Sequence, residues 1–187
     1  MIEPWRRISS RPRGNFHVFS VREERKVSPR TGAEHDFFII DSANWVNVVA
    51  LTAQEEVVLI EQFRHGSESV ELEIPGGIVD ATDASPEATG CRELLEETGY
   101  EGEQAEVIGK VFPNPAMMGN ECFTVLVRNC RYTKAVQFDH GEDLATRLVP
   151  LADVPELVAT SQIRHALIVA ALYQFELWRK KQPGGKI

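Results

Sequence analysis

Arg92-Glu93-Leu94-Leu95-Glu96-Glu97-Thr98-Gly99-Tyr100 carries the strongest local pattern in this chain. Helical residues advance by about 100° each. Glu93, Glu96 and Glu97 then fall within about a third of the helix circumference, and Ala88, Cys91, Leu95 and Thr98 gather on the opposite side. The pattern predicts an amphipathic helix with an apolar back, Cys91 included, and a carboxylate front. Glu93 and Glu97 are an i,i+4 like-charge pair, which costs an isolated helix about 0.2–0.5 kcal/mol. A divalent cation reverses that cost. Hard cations such as Mg²⁺ prefer oxygen ligands and keep several waters, often shared with substrate phosphates.

The flanking residues sharpen this reading. Ile74-Pro75-Gly76-Gly77 ends an apolar run and opens a tight loop. Asp83 or Ser85 can cap the helix, and Pro86 sits where a first turn tolerates it. Gly99 is a stop signal. Gly90 costs about 1 kcal/mol against alanine in mid-helix. It is expected beside Glu93 and Glu97, either leaving room for a phosphate or standing as a tolerated small residue.

Bulk properties bound the rest. The chain has 187 residues, enough for one large domain or one domain with an extension. Its formal charge of −8 argues against a general nucleic-acid surface, which would be basic. Cys91, Cys122 and Cys130 form an odd set without metal-ligand spacing, so a reducing, cytoplasmic setting is expected. The segment Met1 to Arg7 is polar and lacks the apolar stretch of a secretory signal. Ala166 to Tyr173 is too short to span a bilayer, so no membrane partner is expected.

Along the chain, Phe16 to Val21, Arg25 to Ser28 and His35 to Ile40 read as short strands, with Pro29-Arg30-Thr31-Gly32 a turn between the last two. Strands are also expected at Val46 to Leu51, Val57 to Phe63, Val70 to Ile74, Ala105 to Val111, Cys122 to Val127 and Thr146 to Pro150. Pro155 to Thr160 reads as a short helical piece, and Ile163 to Arg179 as a long amphipathic helix. This order predicts an α/β (α+β) fold in which helices sandwich a mixed sheet, preceded by an N-terminal antiparallel β extension. The expected division is residues 1–44 for the extension and 45–187 for the catalytic domain.

The glycine loop, the capped helix and the run Arg92 to Tyr100 together resemble the Nudix box. In that family the box runs Gly, five residues, Glu, seven residues, then Arg-Glu-aliphatic-any-Glu-Glu-any-Gly-aliphatic. Arg92 through Gly99 match without a gap, and Tyr100 is a tolerable last member. Fourteen residues lie between Gly77 and Arg92, one more than the family pattern has. The family's first glutamate then falls at Asp83 or Ala84, and Asp83 is the favoured substitute, tying the loop to the helix. The resemblance covers about Trp45 to Trp178 and implies a Nudix-like α/β/α sandwich. The N-terminal strands, with Gln62-Phe63-Arg64 followed by Glu71-Leu72-Glu73-Ile74-Pro75-Gly76-Gly77, resemble the ADP-ribose pyrophosphatase and nucleoside diphosphate sugar hydrolase subgroup. Members of that subgroup use a β subdomain to dimerise and to complete the substrate pocket.

The resemblance implies Mg²⁺-dependent hydrolysis of the phosphoanhydride of a nucleoside diphosphate sugar, with Mn²⁺ a possible substitute. ADP-ribose and hexose nucleotides such as GDP-mannose lead as substrates. Metal ligation is expected from Glu93 and Glu97, with Glu96 as a further ligand or organiser and Gly77 (or its neighbour Gly76) offering a carbonyl oxygen. Arg92 is expected to orient a box carboxylate. In Phe138-Asp139-His140-Gly141-Glu142-Asp143, Glu142 matches the subgroup's base or late metal ligand, and His140 is a second candidate base. Arg64 could contact the diphosphate or stack on a base, with Gln62 and Glu73 in the same substrate-binding group. Glu121, from Pro113 to Glu121, would reach sugar hydroxyls. A homodimer is implied, resting on the apolar Phe16, Val18, Phe37, Ile39 and Trp45. Two other readings use some of the same features. A dinucleoside polyphosphate or nucleoside triphosphate hydrolase shares the box but does not need the β extension. A non-catalytic ADP-ribose sensor would carry a degraded box and a basic DNA-binding segment.

Overall fold

The computed structural model describes residues 1–136 and 143–182. The chain divides into two compact units. The first comprises Met1–Asn44 with Phe112–Glu121. Its sheet is an antiparallel meander of β1 (Arg6–Asn15), β2 (Phe19–Val27) and β3 (Glu34–Ser42). The turn expected at Pro29 to Gly32 is present: Ser28 N–H donates to Ala33 O at 2.9 Å, and Gly32 takes a left-handed φ of 71°.

Two expectations need correcting here. The strands anticipated at Phe16 to Val21 and Arg25 to Ser28 are one continuous β2, and β1 was not anticipated. The reason is charge. Strand β1 contains Ile8 as its lone large apolar residue, so no hydrophobic alternation marks it. It is held by arginines reaching across to Glu23 and Glu24 of β2. Arg11 Nε donates to Glu23 at 3.0 Å, Arg13 Nε to the same carboxylate at 2.7 Å, and Arg7 Nη1 to Glu24 at 2.8 Å. Both glutamates are buried beneath these side chains. The Arg7 hydrogen bond, opposed by burial and joined by Lys26 and Arg22, holds the Glu24 pKa at about 2. Pro12 is tolerated because β1 is an edge strand.

The second unit takes Trp45–Val111 and the chain from Cys122 onward. Its strands are β4 (Trp45–Thr52), β5 (Glu56–Arg64), β6 (Ser69–Glu73), β7 (Gly76–Ile78), β8 (Tyr100–Val111), β9 (Cys122–Tyr132) and β10 (Leu144–Pro150). Its helices are α1 (Pro86–Thr98), α2 (Val154–Ala159) and α3 (Ala166–Lys181). The sheet order is β10-β5-β4-β9-β8, with β6 paired to β5 and β7 to β4. Strands β4 and β9 run parallel, while β5 and β8 join them antiparallel.

Alternation along the central strands makes two cores. Val46, Val48, Ala50, Val125 and Val127 pack with Leu94 of α1. Val49, Leu51, Leu59 and Leu126 pack on the other side with Ile168, Leu172 and Phe175 of α3. Successive strand side chains point to opposite faces, so this period-2 burial forces a helix layer on each side. The mixed-sheet α/β/α sandwich expected from the sequence is the architecture found. Helix α3 starts at Ala166 rather than Ile163, because His165 is extended (φ −65°, ψ 120°). Ile163 is buried all the same, from the preceding turn. No helix among the described residues is long and apolar enough to cross a membrane.

Candidate active site

The candidate site is built where β6 and β7 lead into α1. After β6 the chain runs through Ile74 and Pro75, and Pro75 O accepts from Val48 N–H at 2.8 Å. Gly76 and Gly77 then pair with Asn47 and Val46 of β4. A Cβ on Gly76 would lie 2.2 Å from Val46 O, so only glycine permits this approach. A Cβ on Gly77 would lie 2.2 Å from Glu93 Oε1. The missing side chain at Gly77 thus leaves space that the Glu93 carboxylate enters.

Helix α1 is held at both ends as its sequence implies. Ser85, not Asp83, is the N-cap, accepting from Ala88 N–H at 3.2 Å, and Pro86 occupies the first turn. Gly99 closes the helix in the left-handed region at φ 73°, donating its N–H to Leu95 O at 2.9 Å. Asp83 ties the loop to the helix. It accepts from Asp80 N–H at 3.1 Å and Thr89 Oγ1 at 2.9 Å, and pairs bidentately with Arg92 at 3.2 and 3.0 Å. The Arg92 hydrogen bonds, chief among these influences, lower the Asp83 pKa to about 2.

The face of α1 that meets the sheet differs from the expected one. Thr98 is buried as expected, but Ala88 and Cys91 are exposed, whereas Thr89, Gly90, Leu94 and Glu97 are buried. Gly90 faces β9 closely: an added Cβ would come 3.1 Å from Val125 Cγ1. Its absent side chain is therefore filled by β9, not left open for a phosphate. Glu97 is only 4 % exposed, and its Oε2 accepts Gly76 N–H at 3.0 Å. A carboxylate on the packed face is sustained by this donor, because a charge-assisted hydrogen bond offsets part of its desolvation.

Glu93 and Glu97 are thus both brought to the Gly76-Gly77 backbone. Arg92 lies alongside, with Nη2 3.1 Å from Glu93 Oε1 and 3.3 Å from Ile78 O, and Nη1 2.9 Å from Glu96 Oε2. Burial opposes the charged guanidinium, but Asp83 above all, with Glu93 and Glu96, keeps it firmly protonated. Glu96 is the more exposed of the three glutamates and is engaged by Arg92. Among the described residues, no three His, Cys, Asp or Glu side chains gather closely enough to hold a metal by themselves. Two carboxylates beside a backbone loop nevertheless suit a hard divalent ion. Such an ion typically takes one or two protein carboxylates and completes its shell with water and substrate phosphate.

A second polar cluster occupies the β5–β6 pair. Arg64 grips Glu73 through Nε and Nη2 at 2.9 and 2.8 Å. His165 Nδ1 lies 3.1 Å from Glu73 Oε2. Burial raises the Glu73 pKa, but Arg64 and His165 outweigh it and bring it to about 2. Two residues upstream, Glu71 is held by Arg164 at 2.8 and 2.7 Å. Gln62 is half-buried on β5, opposite Glu71. Sequence reading did not single out Arg164, His165 or Thr89. Their partners lie 93, 92 and 6 residues away, and nothing local announces the first two pairings. The Asp83–Thr89 pair, by contrast, was within reach of helix-start reasoning.

Glu121 belongs to the first unit, where its N–H donates to Asn44 Oδ1 at 2.9 Å. Trp5 packs there against His35 and Phe37, with ring centroids 5.6 and 5.4 Å apart. Glu142 and His140 lie outside the described residues.

Comparison with known proteins gives the family. The NUDIX domain profile matches residues 41–172. Over 88 residues the chain is 40% identical to mouse ADP-sugar pyrophosphatase, covering 46% of this chain and 39% of that protein. It is 26% identical over 140 residues to ADP-ribose pyrophosphatase of Bacillus subtilis, covering 74% of this chain and 75% of the other. It is 27% identical over 128 residues to the ADP compounds hydrolase NudE of Escherichia coli, 68% of each chain. A crystal structure of an ADP compounds hydrolase superposes with a TM-score of 0.86 at 21% identity, over 100% of this chain and 99% of that one. The profile spans most of the sequence, and the glycine loop, capped helix and carboxylates fall inside it: the chain belongs to the NUDIX hydrolase family.

Proposed function

We propose that this protein hydrolyses the phosphoanhydride of a nucleoside diphosphate sugar, ADP-ribose first, in a reaction that depends on Mg²⁺. Water adds to one phosphorus and the bridging P–O bond breaks. The products are a nucleoside monophosphate and a sugar phosphate. The observation that carries this reading is the convergence of Glu93 and Glu97 on the Gly76-Gly77 backbone. These residues would hold the ion, with Gly77 offering its carbonyl and Glu96 a further carboxylate. Mg²⁺ would supply charge neutralisation at the diphosphate and a lowered pKa for a bound water, and Mn²⁺ would substitute. Arg92 positions the box carboxylates. Arg64 meets the diphosphate, with Gln62 and Glu73 beside it, and Glu121 reaches the sugar hydroxyls. Glu142 orients the attacking water, with His140 as the alternative base.

The names of the relatives support an ADP-containing substrate over GDP-mannose. The test is release of monophosphate from ADP-ribose, GDP-mannose and a dinucleoside polyphosphate, with Mg²⁺ and with chelator. The expected result is AMP from ADP-ribose, abolished by chelation and restored by Mg²⁺. Turnover confined to the polyphosphate would overturn the reading.

The first unit, residues 1–44 in the main, is proposed as a dimerisation subdomain. A sheet of three strands needs a packed face for independent stability, yet Phe16, Val18 and Phe38 are each more than half exposed. A second copy of this chain would cover them. Light scattering should then give twice the 21.0 kDa chain mass, and V18E/F38E should give the single mass. A wild-type chain that scatters as a monomer at micromolar concentration would refute the dimer.

A further inference from the structure

The residue before α3 is unusual for its position. Helix N-caps favour Ser, Thr, Asp or Asn, whose side chains accept an orphan backbone N–H. Here the position holds His165, and no side-chain cap hydrogen bond is made. The imidazole turns instead to Glu73, 3.1 Å from Nδ1 to Oε2. Glu73 is 1 % exposed, and the same carboxylate receives both donors of the Arg64 fork. An ionised carboxylate only accepts hydrogen bonds. The Nδ1 atom must therefore carry the hydrogen and donate.

This contact does more than dock the helix. The turn before α3 has its own anchor one residue earlier, where Arg164 takes both oxygens of Glu71. Glu71 and Glu73 are two apart on β6, so they face the same side of the sheet, as do Gln62, paired with Glu71, and Arg64, paired with Ser69, on β5. Arg164 ends its chain of contacts on Glu71 and on Ser69, at the start of β6. His165 ends its own on the carboxylate that sets the plane of Arg64. A planar guanidinium gripped along one edge is oriented as a whole. Lost grip would let Arg64 sample other rotamers, at an entropic cost to each contact it makes with substrate.

We propose that His165 is a positioning residue for substrate binding, orienting Arg64 toward the substrate diphosphate through the shared Glu73 carboxylate. This inference rests on the assignment of Arg64 to the diphosphate, and the experiment separates the two.

Steady-state kinetics would be measured, on the nucleotide sugar that the substrate panel selects, for R64A, H165A, H165N, R164A and R64A/H165A. Thermal unfolding would be recorded alongside. H165A is expected to raise KM about 5- to 10-fold with kcat within about twofold, the pattern of lost binding that is equal in ground and transition states. H165N, whose amide N–H can replace the Nδ1 donor, should restore most of the loss. R164A should lower Tm but leave KM unchanged. In the R64A background H165A should add nothing, since the residue acts through Arg64. If H165A folds poorly, H165F keeps the ring's bulk without the donor and should show the same rise in KM. A raised KM in R64A with an unaltered KM in H165A and H165F overturns the inference alone. Additive losses in the double variant do the same. An unaltered KM in R64A overturns the diphosphate role of Arg64, and this inference with it.

Discussion

Glu97→Gln is expected to lower turnover by about two orders of magnitude or more while the protein remains folded. The side chain is 4 % exposed, and one of its oxygens receives Gly76 N–H at 3.0 Å. Glutamine keeps the shape and one oxygen, so the bond that ties α1 to the glycine loop can persist. The second oxygen becomes an NH₂ group, which donates and cannot ligate a cation. Changes even in groups that only support a metal's ligands cost about 10- to 100-fold, and removing a ligand should cost more. Glu93→Gln should behave likewise, since Glu93 reaches the same loop at Gly77. The check is kcat across a Mg²⁺ titration, with thermal unfolding as control. The half-saturating Mg²⁺ concentration should rise together with the loss of kcat. Near wild-type turnover in both variants would remove the box carboxylates from the reaction.

Arg92→Ala should damage stability and activity together. This side chain joins four partners: Asp83, Ile78 O, Glu93 and Glu96. Its loss leaves Asp83, a mostly buried carboxylate, without its cation. Breaking a buried pair by removing one partner costs about 3–5 kcal/mol, and the part-exposed Arg92 should bring this nearer about 2 kcal/mol. A Tm lower by about 4–8 °C is expected, with kcat down about tenfold or more because the carboxylates lose their orientation. The pH dependence carries a sign. The Asp83 pKa is depressed from its ordinary 3.8 to about 2, so this group stabilises the fold above about pH 4, and the contribution fades as pH falls toward 2. The Tm gap between wild type and Arg92→Ala should therefore be widest near neutrality and narrow over that acid interval. A gap independent of pH would show that the Asp83 pair is not what Arg92 contributes. Arg92→Lys should recover charge but not the fork, and hence only part of either property.

Much of the second unit could be read from short-range physics. Ser85, Pro86 and Gly99 mark the ends of α1 through local hydrogen-bond and φ requirements that act within a few residues. The β-rich runs Val46 to Leu51 and Val57 to Phe63 predict strands, and both lie within the strands found, β4 and β5. The glycines at 76 and 77 and the glutamates at 93 and 97 stand at a spacing that already suggested one site. The charged strand β1 was not legible, because its pairing energy comes from Arg7, Arg11 and Arg13 meeting carboxylates 10 to 17 residues away. Periodicity cannot register such a partner.

The box helix, its caps, the glycine loop and the strand-rich order around them were legible in the residues alone, since each follows from preferences within one or two turns of chain. Which face of α1 is buried was decided by the tertiary structure. Periodicity placed Glu97 on a solvent front and Cys91 on a packed back. The sheet reverses this, because Gly90 admits Val125 and Gly76 offers Glu97 a backbone donor from 21 residues away. In the same way β6 alone could not show that Glu73 would bind both Arg64 and a histidine 92 residues later. A buried charge is stable only where the fold delivers its partner, and that delivery is a property of the packed chain.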